Sequence, residues 1–208
     1  MRIAILVSSL LLSAFGLSGQ YKTEASVLPA DIPAPIAGVM AKDGVKISDG
    51  KGQVLCELWL RSSPPPASAT KEDTVTWVGV AQGTLIGVIR FPAKGSDRRG
   101  QPFNAGTYTM RLSFFPVNGD HQGVAPQRDF LVLSKIEEDL DPAATPNFDT
   151  LVAASRKVSG TPHPVVFSMW KVDNDFKPGF EKMGDADWAL QVKGAGTNLA
   201  IILIGKVD

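Results

Sequence analysis

The sequence predicts a mainly β protein: an antiparallel two-layer β-sandwich, jelly-roll-like, with one short helix packed on it. Apolar and polar residues alternate with period two over several stretches, as half-buried strands require. Gly, Pro and Asn clusters separate those stretches and supply turns, drawing on 20 glycines and 15 prolines. A single segment, beginning at Asn147, carries both start and stop signals of a helix.

The N-terminus is set aside before the fold is read. Met1 and Arg2 supply a positive charge, residues 3 to 12 are apolar except for Ser8 and Ser9, and residues 13 to 19 are mostly small. That order is the layout of a secretory signal peptide over residues 1 to 19, with cleavage after Gly16 or Gly19. The apolar run is shorter than the roughly 20 residues a membrane anchor needs. The expectation is a periplasmic or extracellular protein with no membrane span once the signal peptide is removed. Residues 20 to 36 contain Pro29, Pro33 and Pro35 and read as an extended, proline-rich linker. Residues 37 to 208 then form a single domain of a size that suits one β-rich core.

Within that domain, short strands are expected around residues 38 to 41 and 45 to 48, split by a turn at Asp43-Gly44. In residues 53 to 61, Val54, Cys56, Leu58 and Leu60 share one face, while Leu55, Glu57, Trp59 and Arg61 share the other. Cys56 is most simply a buried small hydrophobe. The clearest strand is residues 107 to 115, with Tyr108, Met110, Leu112 and Phe114 inward and Thr107, Thr109, Arg111 and Ser113 outward. Further strands are predicted over residues 74 to 80, 84 to 91, 129 to 133, 165 to 172, 188 to 193 and 198 to 206. "LAIILI", residues 199 to 204, is apolar on both faces and belongs inside a sheet. Residues 62 to 73, with three successive prolines, read as an exposed connection. In the helix, Asn147 caps the start, Phe148, Leu151, Val152 and Ser155 share a face, Arg156 and Lys157 suit the C-terminal end, and Gly160 stops it.

Charge and cysteine usage narrow the function. Lys plus Arg equals Asp plus Glu, 21 each, so no overall basic field exists to gather phosphates and nucleic acid is not an expected partner. Cys56 is the sole cysteine, which excludes an intramolecular disulfide and a cysteine-based zinc cluster. Neither a nucleophile elbow, a zinc-protease helix nor a phosphate-cradling loop is present, and no cofactor is expected.

The chemistry-bearing residues gather in "PVNGDHQGVAPQRDFLVL", residues 116 to 133. Asn118-Gly119-Asp120 is turn chemistry, and on the plain reading Arg128 and Asp129 brace the strand that follows. On the sharper reading Asp120, His121 and Asp129 join the only other histidine, His163 in "SGTPHP", to make a two-histidine, one-carboxylate metal site if both loops emerge at one end of the sandwich. Trp59, on the same strand face as Glu57 and Arg61, is the best candidate among four tryptophans for an exposed platform that stacks on a sugar.

The stretches "LIGVIRFPAKGSDRRGQPFNAGTYTMRLSFFPVNGDHQGVAPQRDFLVL" and "NFDTLVAASRKVSGTPHPVVFSMW" resemble a family of exported bacterial β-rich proteins. Its members carry an A-G-x-Y-T-x-R strand, a G-[DN]-H-x-G-V loop and an R-D-F-L-L-like strand. The resemblance covers roughly residues 50 to 206 and implies secretion and a β-rich domain, with no catalytic residues to carry over. A weaker likeness, in the A-G-x-Y turn and the closing "IGK" strand, is to other secreted β-sandwich domains. Three functions follow as expectations: a non-enzymatic binding module for a glycan or an envelope protein, through Asp120, His121, Arg128, Asp129, His163 and Trp59; a metal-dependent enzyme using the His121 and His163 loops; or a structural domain of an exported assembly.

Overall fold

The computed structural model describes residues 20–68, 72, 74–117, 125 and 127–206. In chain order the elements are β1 (Tyr21–Val27), a helical turn α1 (Ala34–Ala37), β2 (Asp43–Asp49), β3 (Val54–Leu60), β4 (Leu85–Phe91), β5 (Gly95–Ser96), β6 (Pro102–Phe103), β7 (Gly106–Phe114), β8 (Asp129–Lys135), α2 (Phe148–Ser159), β9 (Val166–Lys171), β10 (Gly179–Met183), β11 (Asp187–Gly194) and β12 (Thr197–Ile204). A 3-10 turn, Ile136–Glu138, follows β8.

Ten strands form one antiparallel sheet in the order β1, β2, β3, β4, β7, β8, β9, β12, β11, β10, while β5 and β6 make a separate small ribbon. Up to β9 the chain is a meander. It then crosses to the far edge, β10, and returns through β11 to lay β12 beside β9. The sheet curls until its edges nearly meet, with the Tyr21 ring of β1 standing edge-on to Phe180 of β10 at 5.3 Å and to Trp188 of β11 at 4.6 Å. The two halves of the curl are the two layers of the sandwich. Between them lies the main core, built from Cys56, Leu58, Ile89, Met110, Leu112, Leu131, Phe167, Leu199 and Ile201 among others. Each such aliphatic or aromatic side chain contributes about 1.5–3 kcal/mol on burial. No helix among the described residues is long and apolar enough to cross a membrane.

The expected strand phases hold where alternation is strict. Tyr108, Met110, Leu112 and Phe114 all point into the main core, as do Cys56, Leu58 and Leu60. The opposite faces, however, are covered as well. Trp59 joins Ile32, Ile36, Met40, Leu85, Val88 and Ile136 in a second cluster under the α1 segment. α2 lies over Phe130, Val132 and Val166 through Leu151. Thr109, Arg111 and Ser113, expected to face solvent, are therefore fully buried. α2 has the expected ends: Asn147 accepts from the Thr150 N–H, and Gly160 closes the helix at φ 66°.

Residues 20 to 36 are not a linker. β1 pairs residue for residue with β2, from Tyr21 opposite Asp49 to Val27 opposite Asp43, and Ile32 and Ile36 are buried. The prolines lie beyond the strand and at the first turn of α1, where a missing N–H costs nothing. Asp43-Gly44 accordingly belongs to β2 instead of a turn. Residues 38 to 41 form only a bridge, Met40 with Arg61, and of residues 74 to 80 only Val80 bridges, to Ala67. β10 was not expected from the sequence, because "GFEKM" offers one buried side chain, Phe180, at the sheet edge.

Candidate functional site

The described part of the polar loop is bracing. Asp129 opens β8 with no exposure to solvent, and its carboxylate accepts from the Thr76 N–H at 3.0 Å, the Thr76 hydroxyl at 2.7 Å and the Trp77 N–H at 3.0 Å. It thereby ties the irregular 74–77 segment to the sheet. Arg128 donates from Nε to the Phe115 carbonyl at 2.9 Å, pairs with Glu72 at 2.8 Å and stands over the Phe114 ring. These bonds close the neck of the β7–β8 hairpin. Asp120 and His121 lie outside the described residues.

His163 is exposed. Its backbone is held by Ser159 and Thr161, whose hydroxyls donate to the His163 carbonyl while the Thr161 hydroxyl accepts from the His163 N–H. The strands place this loop away from the hairpin neck. The Leu133 N–H donates to the Val165 carbonyl, so residue 163 arrives level with the last part of β8, whereas Asp129 starts β8 four positions earlier, about 13 Å along the strand. Among the described residues no three His, Cys, Asp or Glu side chains converge as a metal site would require.

Trp59, expected as an exposed platform, is completely buried and donates its indole N–H to the Ser26 carbonyl at 3.3 Å. The reason is that β3 lies inside the sheet, with the α1 segment covering its outer face. Trp77 is buried, and Trp170 and Trp188 are half-buried. Among the described residues no aromatic side chain is one of the large hydrophobic residues left exposed.

Two cavities remain to be weighed. The first, about 430 Å³, runs between β7–β8 and α2 with Arg111 at its floor. Arg111 makes a two-pronged pair with Asp139 at 2.7 Å and also donates to the carbonyls of Gly83, Asp141 and Ala144. All five of its N–H donors are thus engaged. Gly83 is a glycine because its φ is 82° and because a Cβ there would collide with the Pro146 backbone at 2.3 Å. Above the floor Lys157 pairs with Glu138 at 2.6 Å and holds that carboxyl below the usual range. The groove's strongest donor thus has nothing left to offer a ligand.

The second cavity, about 230 Å³, opens at the mouth of the curled sheet where β2, β3 and β4 meet the β5–β6 ribbon and the ends of β10 and β12. Its walls are Phe91, Phe103 and Phe180, its floor Ile47, Cys56 and Leu203, and its rim Gln53, Lys94 and Ser96. Phe91 and Phe103 pack at 4.3 Å, and Gly95 lets the ribbon lie against the Phe103 ring, which a Cβ would strike at 2.6 Å. The ribbon is fastened by buried Asp97, which accepts from the N–H groups of Arg99, Gln101 and Val166. Burial, with a smaller push from Glu57, raises the Cys56 thiol to about 12. It is a neutral lining group and no nucleophile. A cavity of about 150 Å³ with apolar walls admits a benzene ring, so this one holds a single aromatic ring or a short aliphatic chain. Sequence reasoning missed it because no motif marks it; the one signal is that Phe91, Phe103 and Phe180 stand at strand ends.

No protein-family model, no curated protein and no solved structure matches this chain.

Proposed function

We propose that the chain is an exported, non-enzymatic binding module that grips an envelope protein by an apolar side chain inserted into the mouth cavity. The observation that carries this reading is the composition of that cavity: aromatic and aliphatic walls, a protonated thiol, and polar groups only at the rim, the pattern of sites that bind apolar groups. The signal-peptide layout and the resemblance to exported β-rich proteins supply the compartment. A sugar would need hydroxyl partners and an open aromatic face, so the apolar side chain is favoured over a glycan.

Saturation-transfer NMR with N-acetylphenylalanine amide tests it. The expected result is transfer to the ring protons, absent with N-acetylalanine amide and abolished by Val54→Trp, which fills the mouth from its half-buried edge. Equal transfer to both amides, or ring transfer that survives Val54→Trp, removes the reading.

A further inference from the structure

We propose that the seam between β1 and β11 is a second docking site, independent of the mouth cavity. It takes up an extended peptide segment of a partner protein with apolar residues at alternate positions and acidic flanks. The seam exists because β10 is too short to fill its row. β10 pairs with β11 only from Gly179 opposite Gln191 to Met183 opposite Asp187, leaving Val192, Lys193 and Gly194 without a strand on that side. Just before β10, the Lys177 N–H donates to the Gln191 side chain at 3.0 Å instead of continuing the ladder, and Pro178 has no N–H to give.

Strand parity shows which backbone groups face the gap. The Val172 N–H donates to the Asn198 carbonyl, so Asn198 and Ala200 turn their backbone groups to β9, and Thr197, Leu199 and Ile201 turn theirs to β11. Their partners Gly194, Val192 and Leu190 point back at β12; Lys193, between them, points into the seam. Across the gap, the Leu28 N–H donates to the Lys42 carbonyl. The even-numbered residues of β1 therefore bond β2, and Thr23 and Ala25 turn N–H and C=O outward. Another extended backbone can satisfy such donors and acceptors together.

The space is adequate and its chemistry is specific. A cavity of about 570 Å³ lies between Thr23, Ala25 and Lys193, floored by Val45, Leu190 and Val192. That floor accepts the apolar side chains of every second residue. Of the charged residues that line this cavity, Lys193 makes no ion pair with a described residue, whereas the carboxylate of Glu24 is engaged by Lys46 at 2.7 Å. The unbalanced charge is positive and calls for acidic flanks. A peptide continuing the β10 row runs antiparallel to β1.

The probe is a fluorescein-labelled, end-blocked peptide Asp-Val-Thr-Val-Thr-Val-Asp, measured by fluorescence polarisation on the full chain. It should bind, and its affinity should fall at least about tenfold when the central Val is replaced by Pro or both Asp by Lys. Ala25→Pro removes an outward N–H without touching the β2 ladder and should weaken binding about tenfold. Lys193→Glu should weaken the acidic peptide and tighten the basic one. Should Ala25→Pro fail to fold, amide exchange on the unaltered chain replaces it: the Thr23 and Ala25 N–H groups must gain protection when the peptide is added. No binding of the acidic peptide, indifference to Lys193→Glu, or unchanged exchange at Thr23 and Ala25 overturns the proposal.

Discussion

The groove beside α2 and the cavity at the mouth of the sheet are both concave, both partly open, and built from neighbouring parts of one sheet, yet they offer a ligand different things. The groove is about twice as large, 430 Å³ against 230 Å³, and carries more charge. Four of its charges pair off, Arg111 with Asp139 and Lys157 with Glu138, while Lys135 also lines it. The mouth holds no ion pair among the described residues and is lined by Phe91, Phe103 and Phe180. The difference teaches that charge in a cavity is informative only after its partners are subtracted. Paired charges are architecture; an apolar cavity has free energy to gain from being filled.

The strongest way to break this comparison is to attack the groove. Arg111→Met leaves the Asp139 carboxylate with only the Thr109 hydroxyl as donor and takes the Arg111 donor from the Gly83, Asp141 and Ala144 carbonyls, and breaking a buried pair from one side costs about 3–5 kcal/mol. Urea denaturation should show that loss, and a second change, Asp139→Leu, should recover much of it. Phenylalanine-amide binding at the mouth should persist wherever the protein is folded. A stability loss under about 1 kcal/mol would mean that Arg111 is not the structural hub its bonds describe.

The hairpin neck offers the next largest effect. Asp129→Ala strips the acceptor from the Thr76 and Trp77 N–H groups, one of them buried, and unmet buried donors cost about 1–3 kcal/mol. Denaturation should place the loss in that range. If Asp129 also served a site in the polar loop, a binding signal would vanish with less stability lost than that.

The way these regions could be read from the sequence follows the same division. Strict alternation in residues 107 to 115 gave the inward face of β7 correctly, because period two is a local property. Arg111 on the other face was misread as outward, since nothing local announces that α2 and the segment before it cover that side. Asn147 and Gly160 were legible because caps act within one turn. β1 was hidden: an edge strand shows polar residues on both faces, and three nearby prolines suggested a linker. The mouth cavity joins β2, β3, β4, β10 and β12 with the small ribbon, residues up to 157 positions apart from Ile47 to Ile204. No spacing rule reaches that far.

Cys56 sharpens the comparison from the mouth side, because it lines the cavity yet is held neutral. Its folded value, about 12, lies above its ordinary value of 9.0. The protonated thiol is therefore favoured by folding: this stabilisation is complete below pH 9 and is lost as pH rises towards 12. Near pH 10.5 the loss is about 2 kcal/mol, at about 1.4 kcal/mol for each unit between the two values. The pH profile of urea stability for the natural chain should fall more steeply than that of Cys56→Val, in which every other titrating group is the same. Parallel profiles would show that the thiol meets water at the mouth.

The smallest effect asked of the comparison concerns α2 alone. Asn147 accepts from the Thr150 N–H at 2.9 Å, and removing such a cap costs about 1 kcal/mol. Asn147→Ala should lower stability by that amount and raise amide exchange in the first turn of α2, over the Arg111 groove. The helix packs chiefly on β8, through Leu151 against Phe130, Val132 and Val166, and it also touches β6, whose Phe103 lines the mouth. The mouth cavity lies under the inner faces of β2, β3 and β4, and none of its lining residues belongs to α2. Loosening only the first turn of the helix should leave phenylalanine-amide binding at the mouth unchanged. A parallel loss of binding would show the two cavities to be coupled, and would make the groove a regulator of the mouth instead of a piece of scaffold.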